Sequence, residues 1–435
     1  MNLKIFDNPA SKIIFSFLNM IIVGTILLSF PIMRNYSFRY SLINIFFTAT
    51  SAICVCGLDS INITEYFSIY GKIIIMLLVQ LGGLGYMAII SFLITLTKKK
   101  LSVNEKIASV MYIDTIKDIK SSAFRILKIT FFIEFLGALS LLISFKNFNI
   151  SSIFLAIFHS ISAFCNAGFM ILDTKNIVNN HIFINTLSIL IILGGIGFIV
   201  IENLYNFFFK KEKISFLTKV VLFLTFILII IPFIIFLLTE YNNSIRKYTF
   251  IEKIIISFFQ VITTRTAGFS ILDINKYLNI NILICIFLMF IGASPTGTGG
   301  GIKTTSFLIL LKNFLATFFS KKNTFIFKRT IEENIIQKSI NLFLFYIIIS
   351  FLATFILLLT EKNIDITYIF FEVISALSTT GLTLGITEKL SISGKIVIII
   401  LMFIGRVYIL FITSKVFINS QELNLKYPEG KILIG

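Results

Sequence analysis

A fourfold internal repeat constrains this chain more than any other feature of its sequence. Four similar segments, SAICVCGL, SAFCNAGF, ITTRTAGF and SALSTTGL, each carry a glycine, and these glycines recur at intervals of 111, 100 and 113 residues. The turn glycines, as we name them, are Gly57, Gly168, Gly268 and Gly381. A repeat at such a period fixes the architecture before local structure is considered. The sequence therefore predicts four similar units around one axis, each with one glycine turn.

Two further marks accompany each turn glycine. A phenylalanine stands ten residues before it, at Phe47, Phe158, Phe258 and Phe371. A second glycine follows 24 to 26 residues later, at Gly82, Gly194, Gly292 and Gly405. One such segment is weak evidence, whereas four copies with matched flanking marks are strong. The predicted units are residues 1–100, 101–211, 212–325 and 326–435.

The composition indicates a protein embedded in a lipid bilayer. Hydrophobic residues make up 57% of the chain and charged residues 14%, and the mean hydropathy is +0.97. A helix needs about 20 apolar residues to cross about 30 Å of hydrocarbon. We expect the first apolar stretch to be retained, because it is too long for a signal peptide. Eight apolar stretches have the required length. They are about 13–33, 72–97, 126–145, 182–209, 216–239, 279–310, 335–359 and 395–418.

A shorter apolar stretch precedes each turn glycine. The four stretches, about 42–56, 151–167, 251–267 and 366–380, are too short to cross a bilayer. A half-membrane helix with an extended return is tolerated only where its backbone is buried in protein or lines a water-filled path. The sequence therefore predicts an all-α integral membrane fold of four helix–re-entrant loop–helix repeats with eight transmembrane helices.

The distribution of Lys and Arg predicts the orientation. If both termini are cytoplasmic, the inside segments hold 24 of the 38 Lys and Arg residues and the re-entrant side holds 13. Cytoplasmic loops carry such an excess in membrane proteins. We therefore expect a multi-pass protein of the cell membrane with cytoplasmic termini and outward glycine turns. Topology explains the net charge of +17, and no nucleic acid partner is needed.

Motifs for other chemistry are weak. Cys54-x-Cys56 has no His or Cys partners at metal-ligand spacing. The GGLG and GGIG runs at 82–85 and 194–197 lie inside predicted spans, so close helix packing explains them better than nucleotide binding. An embedded enzyme would need converging acids, bases or metal ligands, and the chain has only two His residues. We expect neither catalysis nor a cofactor on this chain.

The glycine turns suit a monovalent cation. Backbone carbonyls from four loops can replace the water around an ion. Glycine permits positive φ and lacks a Cβ, so the turn can direct a carbonyl at the axis. The C-terminal end of each preceding half-helix carries partial negative charge that favours a cation.

Five segments are similar to motifs of the Trk/Ktr/HKT superfamily of potassium transporters: TSAICVCGL (50–58), FHSISAFCNAGF (158–169), TRTAGF (264–269), GTGGGIKTT (297–305) and FIGRV (403–407). Over nearly its whole length the chain resembles KtrB-type membrane subunits. The resemblance implies a pseudo-tetrameric pore like that of potassium channels, and potassium uptake that is passive or sodium-coupled. It also implies a homodimer and a cytosolic ring of nucleotide-binding regulatory subunits of the KtrA/TrkA type.

The resemblance assigns a selectivity filter to each turn glycine and the two residues before it. In this family, glycine at all four turns goes with potassium, whereas serine in the first turn of some relatives goes with sodium. Cys56 stands where Thr is usual and Thr264 where Pro is common, so the degree of selectivity stays open. The implied filter residues are Val55, Cys56, Gly57, Asn166, Ala167, Gly168, Thr266, Ala267, Gly268, Thr379, Thr380 and Gly381.

The third inner stretch contains a break, GASPTGTGGGIKTT (292–305), with five glycines and one proline. Proline removes a helix donor and clustered glycine destabilises a helix. A simple kink is one interpretation, and the resemblance favours the other, a gate loop below the filter. We expect the other three inner helices to continue past their glycines. We expect Lys303 to anchor the loop toward the cytoplasm. The predicted gate residues are Gly292, Pro295, Gly297, Gly299, Gly300, Gly301, Lys303 and Arg406.

Arg406 lies twelve residues into the last predicted span. A charge at the bilayer centre costs about 2.5–3.5 kcal/mol on insertion scales, so Arg406 should face protein or water. The resemblance implies an electrostatic barrier and a hydrogen-bond partner for the gate loop, and a purely structural pairing with a carbonyl is the alternative. Tyr408 and Ile409 replace the usual Gly-Pro, and the effect on the gate stays open.

Five other polar residues lie near the turns. His159 and Glu372 each follow the repeat phenylalanine, and we expect both to hydrogen-bond at the top of the re-entrant helix. Asp59, Asp173 and Asp273 follow the turns and either attract cations to the mouth of the pore or form a solvated rim.

A secondary transporter of another small ion or solute, with discontinuous helices, is the alternative function. Such proteins bind substrate at the midplane between inverted repeats. The repeats of this chain run in one direction, which favours the potassium pathway. A negative-inside potential would contribute about 2.3 kcal/mol per 100 mV for each inward charge.

Overall fold

The computed structural model describes residues 9–35, 41–97, 119–145, 148–172 and 177–415. The described helices follow a three-part order four times: a long outer helix, a short helix that ends at a glycine turn, and an inner helix. The outer helices are α1 (Pro9–Ser29), α5 (Ile119–Ser144), α9 (Phe216–Glu240) and α13 (Glu333–Thr360). The short helices are α2 (Leu42–Cys54), α6 (Ile150–Phe164), α10 (Phe250–Thr263) and α14 (Ile366–Leu377).

Two of the inner elements are divided into separate helices, and the first inner element contains an interruption at Gly85. The inner elements are α4 (Ile69–Thr97), α7 (His181–Ile196) with α8 (Phe198–Lys210), α11 (Asn279–Phe290) with α12 (Thr304–Phe318), and α15 (Ile392–Lys415). A one-turn helix, α3 (Ile63–Tyr66), precedes α4, and an antiparallel hairpin of β1 (Phe325–Ile326) and β2 (Arg329–Thr330) follows α12. The predicted unit boundary at 211/212 falls between α8 and α9, and that at 325/326 divides β1. The boundary at 100/101 lies outside the described residues.

Helix length separates spanning helices from the short ones. Among the described residues, three helices are individually long and apolar enough to cross a membrane: Phe124–Ser144, Phe216–Glu240 and Glu333–Thr360. The pair α7 and α8, bent by 100°, is a fourth if it counts as one crossing. The short helices have 12 to 15 residues, or about 18–22 Å, too little for a crossing. The count of eight spans stays a prediction.

Two inner helices break where we predicted continuity. Gly85 interrupts α4 at a φ of 60° and a ψ of −157°, and Gly197 separates α7 from α8 at a φ of 94°. The prediction that the first and second inner helices continue past their glycines is therefore wrong. Glycine adopts positive φ without steric cost. A right-handed helix requires negative φ, so a residue with positive φ interrupts it. The fourth inner helix does continue, through Tyr408 and Ile409 to Lys415.

The second glycine of the repeat lets an inner helix touch the end of a short helix. In three repeats, a Cβ added to this glycine would collide with the carbonyl oxygen of the residue four positions before the turn glycine. The pairs are Gly82 with Ile53, Gly194 with Phe164 and Gly405 with Leu377. In the third repeat, a Cβ on Gly292 would instead meet the carbonyl of Gly300 in the chain's own break.

Carboxylates at the ends of two outer helices cap the inner helices that follow. Glu240, the last residue of α9, accepts a hydrogen bond from the backbone N–H of Leu278 at 2.8 Å, just before α11. Glu361, just after α13, accepts one from the N–H of Ser391 at 3.2 Å, just before α15. Negative charge at a helix N-terminus is stabilising. These caps fix where each inner helix starts relative to its outer helix.

Substitution of Gly194 should separate close packing from helix propensity. Gly194→Ala places a methyl group against the Phe164 carbonyl, and such overpacking costs about 1–3 kcal/mol. Gly195→Ala is the matched control, because its Cβ would meet nothing closer than the Asn166 side chain at 3.4 Å. Thermal unfolding in detergent should show a lower midpoint for Gly194→Ala and an unchanged or higher midpoint for Gly195→Ala. Equal midpoints for both variants would contradict this contact.

Candidate cation pathway

The four glycine turns meet in a closed ring. A Cβ added to each turn glycine would collide with the carbonyl oxygen of the residue before the next turn glycine. The contacts run from Gly57 to Ala167, from Gly168 to Ala267, from Gly268 to Thr380, and from Gly381 back to Cys56. The order around the ring is thus the order along the chain. All twelve predicted filter residues are buried and lie in these four turns.

The backbone of each turn adopts the same unusual conformation. The residue two before the turn glycine has positive φ in every repeat: 56° at Val55, 57° at Asn166, 62° at Thr266 and 51° at Thr379. The turn glycines also have positive φ, from 71° to 90°, whereas the residues between do not. Positive φ in a β-branched residue is a genuine outlier. Backbone strain of this kind clusters at functional sites.

The N–H groups of the turns point back at the short helices. In three repeats, the residue before the turn glycine donates to a serine carbonyl five residues earlier, at 2.8 Å. The donors and acceptors are Cys56 with Ser51, Ala167 with Ser162, and Thr380 with Ser375. The third repeat has Ile262 in place of this serine, and there Ala267 donates to the carbonyl of Thr263 at 3.0 Å. With the N–H groups held by the helix, each turn has a fixed backbone.

Two filter side chains contact neighbouring helices. The Cys56 thiol lies 4.0 Å from the Ser375 carbonyl in the fourth repeat. The Asn166 amide, oriented so that its nitrogen donates, reaches the carbonyls of Ala163 at 3.0 Å and Ile191 at 3.3 Å. The unusual cysteine therefore packs between repeats.

His159 and Glu372 hydrogen-bond to the chain beyond the turns of their own repeats. The backbone N–H of Ile171 donates to His159 Nε2 at 3.3 Å. The hydroxyl of Thr383 donates to Glu372 Oε2 at 2.7 Å, and that of Thr387 donates to the other carboxylate oxygen. The expectation of hydrogen bonding at the re-entrant helix is thereby met. Both residues brace the segment that leaves the ring.

The three predicted mouth residues differ. Asp59 is half-buried, and its Oδ1 has no hydrogen-bond partner among the described residues. Asp273 accepts from the N–H of Asn275 at 3.2 Å and lies 3.6 Å from the Lys276 ammonium, so a local turn accounts for it. Asp173 lies outside the described residues.

The break in the third inner helix forms an ordered loop, residues 291–303, which we call the inner loop. The two ends of the loop hydrogen-bond to each other. The N–H of Gly292 donates to the carbonyl of Ile302 at 3.0 Å, and that of Ala293 donates to the carbonyl of Gly300 at 3.1 Å. The inner loop also binds the end of α7. The N–H of Ser294 donates to Gly195 at 3.0 Å, and that of Thr298 donates to Gly194 at 3.1 Å. A simple kink does not describe this arrangement.

The predicted gate residues lie in and against the inner loop. Gly299 lies against the Thr266 hydroxyl, and Gly300 lies against the Thr379 hydroxyl. Both hydroxyls are buried, and neither has a hydrogen-bond partner within the described part of the chain. Pro295 and Gly297 face Gly197 and Gly195 of the second repeat, and Gly301 packs against Gly292. The inner loop therefore covers the third and fourth turns.

Lys303 folds back on the inner loop. Its ammonium donates to the carbonyl of Gly299 at 2.7 Å, and the residue is half-buried. The ammonium therefore caps the loop's own backbone, and the role of Lys303 as an anchor toward the cytoplasm stays a prediction.

Arg406 joins the inner loop to the first repeat. One guanidinium nitrogen donates to the carbonyl of Thr298 in the loop, and another donates to the carbonyl of Gly82 in α4. The Thr298 hydroxyl in turn donates to the Phe164 carbonyl at 3.1 Å. Parts of all four repeats thus meet at the inner loop. The predicted contact between Arg406 and the loop is present.

The second repeat supplies partners for the inner loop that the sequence did not predict. Gly194 and Gly195 offer their carbonyls to the inner loop, and Thr296 of the loop accepts from Phe198 at the start of α8. The GGIG run was the available signal, but it suggested only close helix packing. Glu202 of α8 also pairs with Arg125, at 2.9 Å.

The chain is similar to known cation transport proteins over nearly its whole length. Residues 6–424 match the family model described as TrkH, cation transport protein. The potassium/sodium uptake protein NtpJ of Enterococcus hirae is 36% identical over 98% of this chain and 97% of that protein. The Ktr system potassium uptake protein B of Bacillus subtilis is 34% identical, over 98% and 97% respectively. The crystal structure of the potassium transporter TrkH from Vibrio parahaemolyticus matches with a TM-score of 0.72 at 16% identity, covering 94% of this chain and 85% of that one.

The fold and these comparisons define a helical membrane transport protein and point away from an enzyme. The chain belongs to the TrkH family of cation transport proteins.

Proposed function

We propose that this chain is the translocating subunit of a potassium uptake system, with its ion path along the axis of the four glycine turns. The closed ring of carbonyl–glycine contacts carries the proposal. Relatives that span nearly its full length are named as potassium or potassium/sodium uptake proteins. The finer architecture, eight spans in a pseudo-tetrameric pore, belongs to the same proposal.

The turns would act as a selectivity filter through their backbone. Because their N–H groups are held by the short helices, the carbonyl oxygens are free to replace the hydration shell of an ion. Alternating positive and negative φ favours carbonyls that face one side. The C-terminal ends of the four short helices add partial negative charge. In this view the ion ligands are the carbonyls at and just before the turn glycines.

Cys56 would alter this filter little. Its thiol contacts the neighbouring short helix, so the replacement of the usual threonine leaves the Cys56 carbonyl available. We therefore propose that the filter prefers potassium to sodium. Uptake would be either passive or coupled to sodium.

The inner loop would be the gate. It covers the Thr266 and Thr379 hydroxyls, which have no hydrogen-bond partner among the described residues and would line the path once the loop moved away. Arg406 would hold the loop closed through Thr298. Its positive charge would also raise the barrier for a cation at this depth.

The proposal extends to the setting of the chain. The Lys and Arg bias supports cytoplasmic termini in the cell membrane. The resemblance to KtrB-type subunits supports a homodimer beneath which a nucleotide-binding regulatory ring docks. A secondary transporter would be built of inverted halves, whereas the turns here follow one another in one direction.

Gly57→Ser should weaken discrimination against sodium. A side chain at this positive φ collides with the Ala167 carbonyl and distorts the ring. Gly385→Ser is the matched control, since Gly385 has a φ of 83° but no atom within 4 Å of an added Cβ. We expect the ratio of sodium to rubidium uptake in proteoliposomes to rise several-fold for Gly57→Ser only. An unchanged ratio in Gly57→Ser would count against the filter.

Arg406→Gln should open the gate. Loss of a hydrogen bond to a charged group costs about 1.5–3 kcal/mol. This would lower the equilibrium ratio of closed to open states by about 10- to 150-fold. We expect faster rubidium uptake in proteoliposomes and faster amide hydrogen exchange over residues 292–302. Arg329→Gln, in the exposed hairpin, should change neither. Wild-type flux together with wild-type exchange in Arg406→Gln would exclude this role.

A further inference from the structure

Helix α8 differs from the other inner segments. It is bent by 100° from α7, so if α7 crosses the bilayer, α8 runs along it. Its exposed side chains include Phe208 and Phe209, which are 71% and 75% exposed. The helix ends at Lys210, and the exposed Lys211 and Lys213 follow.

An ion pair sets the depth of α8. Glu202 of α8 lies 2.9 Å from Arg125, which stands in the second turn of outer helix α5. The other end of α5 leads into the short helix α6 and therefore lies on the side of the glycine turns. Helix α8 is thus at the opposite surface, the cytoplasmic one in our orientation. An interfacial helix combines aromatic residues at the acyl boundary with basic residues at the headgroups, as α8 does.

The N-terminus of α8 is built onto the inner loop. The N–H of Phe198 donates to the Thr296 carbonyl at 3.3 Å, and that of Ile199 donates to the Thr296 hydroxyl at 3.4 Å. Gly197, between the two helices, lies against the Pro295 carbonyl. Thr296 holds a φ of 61°, which is strained for a β-branched residue. A movement of α8 therefore pulls on the inner loop through Thr296.

We propose that α8 binds anionic phospholipid headgroups through Lys210, Lys211 and Lys213, and that Thr296 transmits this binding to the inner loop and so controls flux. The inference rests on the proposed role of the inner loop as the gate.

Charge and exposure favour a lipid surface over other partners. Within residues 198–213, Glu202 is already paired with Arg125, which leaves three lysines against Glu212. A basic segment next to exposed aromatic rings is complementary to a membrane surface, where acyl chains meet negatively charged headgroups. The aromatic side chains would anchor α8, and the lysines would make the anchoring depend on lipid charge.

The test measures rubidium uptake by the full chain in two kinds of vesicle, one of phosphatidylcholine alone and one with added phosphatidylglycerol. The measured quantity is the ratio of the two fluxes, and we expect it to differ from one by several-fold in the wild type. Lys210→Gln/Lys211→Gln should bring the ratio close to one, because each lysine near an anionic surface is worth about a fivefold change in binding. The matched control is Lys321→Gln/Lys322→Gln, an adjacent exposed pair outside α8, and should keep the wild-type ratio.

A second variant tests the connection to the inner loop. Thr296→Val keeps the β-branched shape and removes the hydroxyl that accepts from Ile199. It should retain protection of α8 amides from hydrogen exchange in phosphatidylglycerol nanodiscs, yet lose the lipid dependence of flux. If α8 instead binds a regulatory subunit, phosphatidylglycerol should change neither the hydrogen exchange of α8 nor the flux, and this result would contradict lipid binding.

The outcomes separate this inference from the proposed function. Lipid-dependent protection of α8 without rubidium uptake in any vesicle would contradict potassium transport and leave lipid binding standing. Uptake with a flux ratio of one in the wild type, or a wild-type ratio in Lys210→Gln/Lys211→Gln, would overturn the inference and leave transport standing.

Discussion

The structure depends on backbone approach at one ring, where four turns come so close that no side chain fits. Each turn glycine lies against the carbonyl of the next turn, so a Cβ at any of the four positions would force neighbouring backbones apart. This close approach explains why the repeat is marked by glycine while most neighbouring residues vary. Behind the ring, the N–H groups of the residues before the turn glycines are held by carbonyls of the short helices.

The second glycine of each repeat transmits this constraint outward. In three repeats it brings an inner helix onto the last carbonyls of a short helix. In the third repeat the inner helix is broken instead, and the inner loop occupies the space beneath the ring. The loop is held by the second repeat through Gly194 and Gly195, and by the fourth through Arg406. The repeats are therefore alike where they form the ring and different where they hold the loop.

Much of this arrangement could be predicted from the sequence, because the strongest constraints act on glycine and on charge. The turn glycines recur at matched positions in all four repeats, the short apolar stretches are too short to cross a bilayer, and the break at 292–305 places five glycines and a proline in an apolar run. Arg406 was similarly informative, since a charge within an apolar span must find polar partners. The helix breaks at Gly85 and Gly197 could not be predicted. A glycine inside an apolar run looks the same whether it allows close packing or a positive φ.

The contacts that remained out of reach are those between repeats. Thr296 carried no signal, although its backbone and hydroxyl both cap α8. Such contacts depend on how segments about 100 residues apart fold together, and local spacing does not encode them.

We propose above that carbonyls of the four turns bind the transported ion. Anomalous diffraction from crystals grown in rubidium chloride tests it most directly, because rubidium substitutes for potassium and scatters anomalously. We expect a rubidium peak on the axis of the ring, among the carbonyl oxygens of Cys56, Ala167, Ala267 and Thr380. A ring without rubidium, with the ion bound by side chains elsewhere in the membrane, would contradict it.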